Sequence, residues 1–133
     1  TEEEELSRLC QIVEEFHHSE YNALGIVTRT NGEAQALFEQ LASRGAQVSL
    51  VTPESKSFHN GALVLSVQMS KGLEFDQVAV PHVNAATYHT PFDRNLLYVA
   101  CTRAMHRLSL TCVGKATPLL PFHGKEEEQT AQA

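Results

Sequence analysis

What this sequence lacks narrows it before anything else does. Its three cysteines, Cys10, Cys101 and Cys112, are an odd number without paired spacing, so they offer neither a disulfide framework nor a metal-ligand pattern and suit reduced thiols. His17 and His18 are adjacent and cannot turn both rings to one side of a helix, and no metal site is expected. No apolar run approaches the ~18–20 residues of a membrane span. No signal peptide is evident either, so the chain reads as cytoplasmic, with no membrane partner.

Positive charge is also scarce, with ten Lys and Arg against sixteen acids and a net charge of −6. Seven of those acids sit in two terminal runs, Glu2 to Glu5 and Glu126 to Glu128, and between the runs nine acids face ten cations. The body is near neutral and carries no basic footprint that would announce nucleic acid by charge alone. Nor is there a Gly-x-x-x-x-Gly-Lys-[Ser/Thr] loop or a paired acid motif to hold Mg²⁺, so nothing in the chain cradles a nucleotide's phosphates unaided.

What is present is enough for one core. A hydrophobic content of 42% over 133 residues fits a single globular domain. Residues 1–118 are expected to form it, with 119–133 as a disordered acidic tail. Leu6, Leu9, Cys10, Val13 and Phe16 recur at helical intervals behind the Glu run. Ala23 to Thr28 reads as a buried strand, and Thr30-Asn31-Gly32-Glu33 as a capping box opening a helix that carries Ala34, Leu37, Phe38 and Leu41 and stops near Gly45. Further strands are expected over 47–51, 62–68, 77–80 and 108–113, with a loop over 53–61. A helix capped by Asp93 should bury Leu96, Leu97, Ala100, Cys101 and Ala104. Strands this continuously apolar are buried on both faces, which points to an open, mainly parallel α/β sheet. Phe16, Phe38 and Phe75 fit its core better than a base-stacking platform.

Three segments carry a resemblance. Ser66-Val67-Gln68-Met69-Ser70-Lys71-Gly72-Leu73-Glu74-Phe75-Asp76 resembles motif V of the UvrD/Rep-like superfamily 1A helicases, a strand leading into a T-x-H-x-x-K-G-L-E-F core. Leu96-Leu97-Tyr98-Val99-Ala100-Cys101-Thr102-Arg103-Ala104 resembles their motif VI, of the form L-x-Y-V-x-x-T-R-A, and Gly25-Ile26-Val27-Thr28-Arg29-Thr30-Asn31 is similar to a family strand ending in Arg-Ser/Thr-Asn. The resemblance spans roughly residues 23 to 114. The run from Arg103 to Gly114 and Pro118-Leu119 looks most like the HelD and helicase IV branch. The short stretch 32–65 leaves no room for the large domain that UvrD and Rep insert there.

The resemblance implies a C-terminal RecA-like (2A) fold of the P-loop NTPase type without its own P-loop, in a bacterial, cytoplasmic, ATP-dependent DNA helicase or translocase. Arg103 would be the arginine finger, since a permanently charged guanidinium fork suits the charge that develops on a γ-phosphate. Gly72, Glu74 and Lys71 would join it around ATP, Glu74 on the ribose, while Lys71 could equally pair with Asp76. Arg29, Asn31, Ser66 and Gln68 match positions that touch single-stranded DNA, with a salt bridge as the other reading of Arg29. Gln68 stands where the family has histidine, so this contact cannot be cationic. The missing half of the ATP site, and the Mg²⁺, would belong to an N-terminal RecA-like domain of the same polypeptide, and the fragment alone should be inactive. A HelD-like role, remodelling RNA polymerase with little unwinding, is the alternative.

Overall fold

A computed structural model describes residues 2–52, 61–84 and 87–112, with the backbone of 127–129. The chain runs α1 (Glu2–His17), β1 (Ala23–Thr28), α2 (Asn31–Ser43), β2 (Ser49–Leu50), β3 (Gly61–Ser66), a 3-10 turn (Gln68–Ser70), β4 (Phe75–Val80), α3 (Pro91–Thr102), β5 (Ala104–Leu110) and β6 (Glu127–Gln129). All strands pair in parallel in the order β2-β3-β1-β4-β5-β6. This is the α/β sheet that the apolar runs predict.

Strand alternation divides the core into two layers. Leu24 and Ile26 of β1, Ala62 and Val64 of β3 and Ala79 of β4 face α1 and α2, where Leu9, Ile12, Val13, Phe16, Leu37 and Leu41 cover them. Val27, Leu63, Leu65, Val78 and Val80 face the other way, toward Leu97, Ala100 and Cys101 of α3. The aromatics fall as expected, with Phe16 and Phe75 buried and Phe38 partly so. Gly25 is obligatory in β1: a Cβ there would lie 2.6 Å from the Phe75 ring.

The helix ends follow their local chemistry. Thr30 caps α2 by accepting from the Glu33 N–H, and α2 closes at Arg44 before Gly45, whose φ of +86° suits glycine. Asp93 is not the cap of α3. Thr90 takes that place, Pro91 opens the helix with its preset φ, and Asp93 answers from the third position in a reciprocal capping box.

Strand limits shift too. β3 ends at Ser66 because the chain turns into the 3-10 segment, β4 starts two residues earlier than its apolar run, and β5 begins at Ala104. The loop at 53–60 lies outside the described residues, as does most of the tail. Within that tail the backbone of Glu127–Gln129 pairs with Leu108–Leu110 of β5, along an edge that would otherwise leave backbone groups open to another strand.

One acid of the N-terminal run is not on the surface. Glu5 is 1% exposed. Its Oε2 accepts from the His82 backbone N–H at 2.8 Å and from Thr111 Oγ1 at 2.8 Å, while Oε1 lies 3.0 Å from His82 Nδ1. These contacts fasten α1 across the ends of β4 and β5 and hold His82 at φ +60°, a strained value for a residue with a side chain. Burial pushes the Glu5 carboxyl up, but the hydrogen bonds and charge of His82 and the Thr111 hydroxyl outweigh it and leave the group below its ordinary 4.5. The hydrogen bond to Glu5 raises His82 above 6.5 against its own desolvation, helped by the charges of Glu5, Glu33 and Glu2.

The stability from Glu5 is present above 4.5 and lost as pH falls through its lowered value; that from His82 is present below 6.5 and lost as pH rises through its raised one. Thermal unfolding of this chain should therefore show the pair's full contribution between those two pH values. Glu5→Gln should flatten the profile on both sides, and an unchanged profile would remove the pair from the account of stability.

Candidate functional site

The residues singled out by the motifs separate to opposite ends of the sheet. At the carboxyl end, Thr28 and Ser66 are register partners on β1 and β3, so the corner Arg29-Thr30-Asn31 meets the exit of β3. Ser66 Oγ donates to Asn31 Oδ1 at 2.5 Å and accepts from the Met69 N–H at 3.2 Å. Ser66 itself is buried, so its hydroxyl orients Asn31 and the start of the 3-10 turn and is not presented to a strand. Asn31 and Gln68 are exposed. With the Asn31 carbonyl occupied by Ser66, its amide is left to serve as a donor.

Arg29 takes the salt-bridge reading. Its Nε and Nη2 both reach Asp93 Oδ1, at 2.7 and 2.6 Å. Asp93 is fully buried, and its Oδ2 accepts from the backbone N–H groups of His89 and Thr90 at 3.0 and 3.2 Å. The His89 amide is the largest influence holding this carboxyl well below the usual carboxylate range; Arg29 and Thr90 add to it, against the opposing effect of burial. The exposed His89 ring stands 3.7 Å from the same oxygen.

At the amino end, the Phe75 N–H donates to the Arg103 carbonyl at 2.9 Å, and Phe75 pairs with Ala104. Glu74 and Arg103, twenty-nine residues apart in the chain by their numbers, thus sit side by side where β4 and β5 begin. Arg103 is the C-cap of α3. Its Nε is buried and finds no hydrogen-bond partner among the described residues, and a buried guanidinium N–H without an acceptor is chemistry suited to an anionic ligand.

Lys71 and Gly72 form the turn that leads to Glu74. Lys71 at φ −59°, ψ 130° and Gly72 at φ +77°, closed by Leu73 N–H to Ser70 O at 3.0 Å, make a type II turn that requires glycine at its second central place. Among the described residues nothing lies within 4 Å of a Cβ placed on Gly72, which leaves this backbone open to approach from them. Lys71 and Glu74 are exposed. Asp76 is not a partner of Lys71: its Oδ2 accepts from the Asn22 and Ala23 N–H groups at 2.8 and 3.0 Å, and its Oδ1 lies 3.9 Å from His106 Nε2.

Sequence reasoning missed Asp93 as the hub of the carboxyl end, because its partner Arg29 lies far away in the chain. It also missed a cluster beside Asp76, where the Tyr21 and His106 rings stack in parallel with centroids 5.6 Å apart and the Arg107 guanidinium lies 5.9 Å from the Tyr21 centroid. No local signal marks that cluster. No helix among the described residues is long and apolar enough to cross a membrane.

The family model for the UvrD-like helicase C-terminal domain matches residues 61–111, the stretch from β3 through β5 that contains both Glu74 and Arg103. A search of curated proteins finds no match. Among solved structures, the chain is similar to a complex of Arterivirus nonstructural protein 10 (helicase) with DNA, with a TM-score of 0.51 and 20% identity over 86% of this chain and 29% of that one. At that identity the likeness concerns fold alone. It is also similar to the C-terminal domain of a possible DNA helicase from Lactobacillus plantarum, with a TM-score of 0.81 and 30% identity over 96% of this chain and 78% of that one. With the family-model match and the 30% identity over nearly the whole chain, the chain belongs to the UvrD-like helicase C-terminal domain family.

Proposed function

We propose that the chain is the second motor half of an ATP-dependent DNA helicase or translocase, of the compact type similar to HelD and helicase IV. It would complete an ATP site whose phosphate cradle and Mg²⁺ ligands belong to an N-terminal RecA-like domain of the same cytoplasmic polypeptide. The observation that carries this reading is Arg103, fixed at the end of α3 beside Glu74 with its buried Nε lacking an acceptor among the described residues.

ATP supplies the reaction's energy, and this chain's residues position and stabilise. Arg103 would stabilise charge developing on the γ-phosphate. Glu74 would accept from the ribose, with the Lys71–Gly72 turn bringing backbone close to the nucleotide. At the other end of the sheet, the exposed Asn31 and Gln68 would hold single-stranded DNA, with Ser66 orienting Asn31 and Arg29 fixed by Asp93. Closure of the cleft would then move the strand-holding end relative to the other domain.

A second reading has its own support. The exposed candidates for strand contact, Asn31 and Gln68, are uncharged, and Arg29 is engaged with Asp93. A strand grip this poor in cations suits a nucleotide-driven factor that remodels RNA polymerase.

ATP turnover by the full-length protein, with and without a single-stranded oligonucleotide, decides between them. Stimulation by the strand is expected, while the 133-residue chain alone shows no turnover. A rate indifferent to DNA would overturn the translocase reading, and turnover by the isolated chain would contradict the shared site.

A further inference from the structure

The two functional ends of this domain are joined by one element. Helix α3 begins at the carboxyl end, where Asp93 meets Arg29, and ends at the amino end, where Arg103 is its C-cap. The rise from Asp93 to Arg103 is ~15 Å at 1.5 Å per residue. Asp93 divides its oxygens between two tasks. Oδ2 closes the first turn of α3 through the His89 and Thr90 N–H groups, and Oδ1 takes both Nε and Nη2 of Arg29.

Arg29 sits two residues before Asn31, and the intervening Thr30 is the N-cap of α2. The corner that carries Asn31 is therefore ion-paired to the head of the helix that carries Arg103 at its tail. At that tail, the Arg103 carbonyl accepts from Phe75, immediately after Glu74. Helix α3 is held by its packing through Leu97, Ala100 and Cys101, so a shift imposed at its head is transmitted as a rigid-body movement and not absorbed locally.

We propose that Arg29 and Asp93 are positioning residues, an ion-paired coupling through which strand engagement at the Asn31 corner sets α3 and with it Arg103. The inference rests on the functional reading above and assigns Arg29 a mechanical role in place of a direct strand contact. A charge pair suits this work because it is directional: a two-nitrogen contact to one oxygen fixes the corner's angle against the helix, as apolar packing would not.

The test uses the full-length protein and measures ATP turnover against the concentration of a single-stranded oligonucleotide. Asp93→Asn keeps an acceptor for the helix cap and removes the charge. Arg29→Gln removes the other partner and leaves the backbone bonds of Asp93 intact, so at least one variant keeps the fold. Both should lower the maximal stimulated rate by about tenfold or more, since a misplacement of ~1 Å can cost up to about a hundredfold, with the half-saturating oligonucleotide concentration unchanged within about twofold. Arg29→Lys, which keeps the charge without the fork, should recover only part of the loss.

A raised half-saturating concentration with an unchanged maximum in Arg29→Gln would mean direct strand contact and overturn the proposal. Loss of unstimulated turnover in Arg29→Gln but not in Asp93→Asn would place Arg29 on the nucleotide and overturn it equally. Variants that respond like the parent remove the coupling and leave the translocase reading standing. A parent that no strand stimulates removes both.

Discussion

Replacing Arg103 by Ala in the full-length protein should lower ATP turnover by about 10³-fold, with the KM for ATP changing far less, because an arginine finger acts on charge that develops in the transition state. The variant should not cost the domain its fold. The only hydrogen bonds described for Arg103 are those of its backbone, to Phe75 and to the last turn of α3, and Ala keeps them all. The Nε of Arg103 is buried without a partner among the described residues, so truncation should remove an unsatisfied donor and leave the thermal midpoint level or slightly raised. Large activity loss without stability loss is the signature of a residue held ready for a ligand. Arg103→Lys should remain strongly impaired, since an ammonium lacks the fork. A fall in turnover of less than about fivefold, against the 10³ or more expected of a finger, would exclude Arg103 from that role.

Asp93→Ala should be among the most destabilising single changes in the described fold. It strips the capping box of α3 and leaves Arg29 facing a buried void where its carboxylate was. Breaking a buried ion pair from one side costs about 3–5 kcal/mol. In a domain of this size that is roughly a 10–20 °C fall in thermal midpoint.

Arg29→Ala should cost distinctly less, because the Asp93 carboxylate keeps the His89 and Thr90 N–H groups and the Arg29 side chain is already 30% exposed. The double variant should be less destabilised than the sum of the two. The pH dependence has one sign: with the carboxyl held well below its ordinary 3.8, its contribution is in place above that value and disappears only as pH falls through the lowered one. Thermal unfolding of the three variants between neutral and acid pH checks all of this. Equal losses from Arg29→Ala and Asp93→Ala would show that the cap matters little.

The sequence was readable where structure is local. Helical spacing placed α1 and α2, continuous apolar runs placed β1, β3 and β4 near their true limits, and Thr30 announced its own helix. It failed wherever a side chain's partner lies far along the chain. Glu5 has the periodicity of one more solvated acid in a run of four, and only the fold brings His82 and Thr111 to it. Arg29 looks like a cation offered to a ligand until Asp93 arrives from 64 residues away.

Ser66 shows the same limit from inside a motif. The pattern gives its position, but the structure buries the hydroxyl against Asn31 and leaves Asn31 as the exposed member of the pair. Motif order indicated that Glu74 and Arg103 belong together. Only the pairing of β4 with β5 explains how, and only the sheet places them at the end opposite Asn31.

The strand order also governs how the domain can come into being. β1, near the start of the chain, has no neighbour in the sheet until β3 and β4 exist: Leu24 pairs with Ala62 on one side and Gln77 on the other. Being parallel, no adjacent strands can be joined by a tight hairpin, so every rung closes a long loop and folding should be slow for the chain's size. During synthesis β1 would wait with both edges bare while α2 and β2 emerge. The bond between Phe75 and Arg103, which defines the amino-end site, would be among the last to form. The juxtaposition of Glu74 and Arg103 thus cannot precede the domain's completion, and a chain interrupted before β5 would have an exposed β4 edge and no Arg103 beside it.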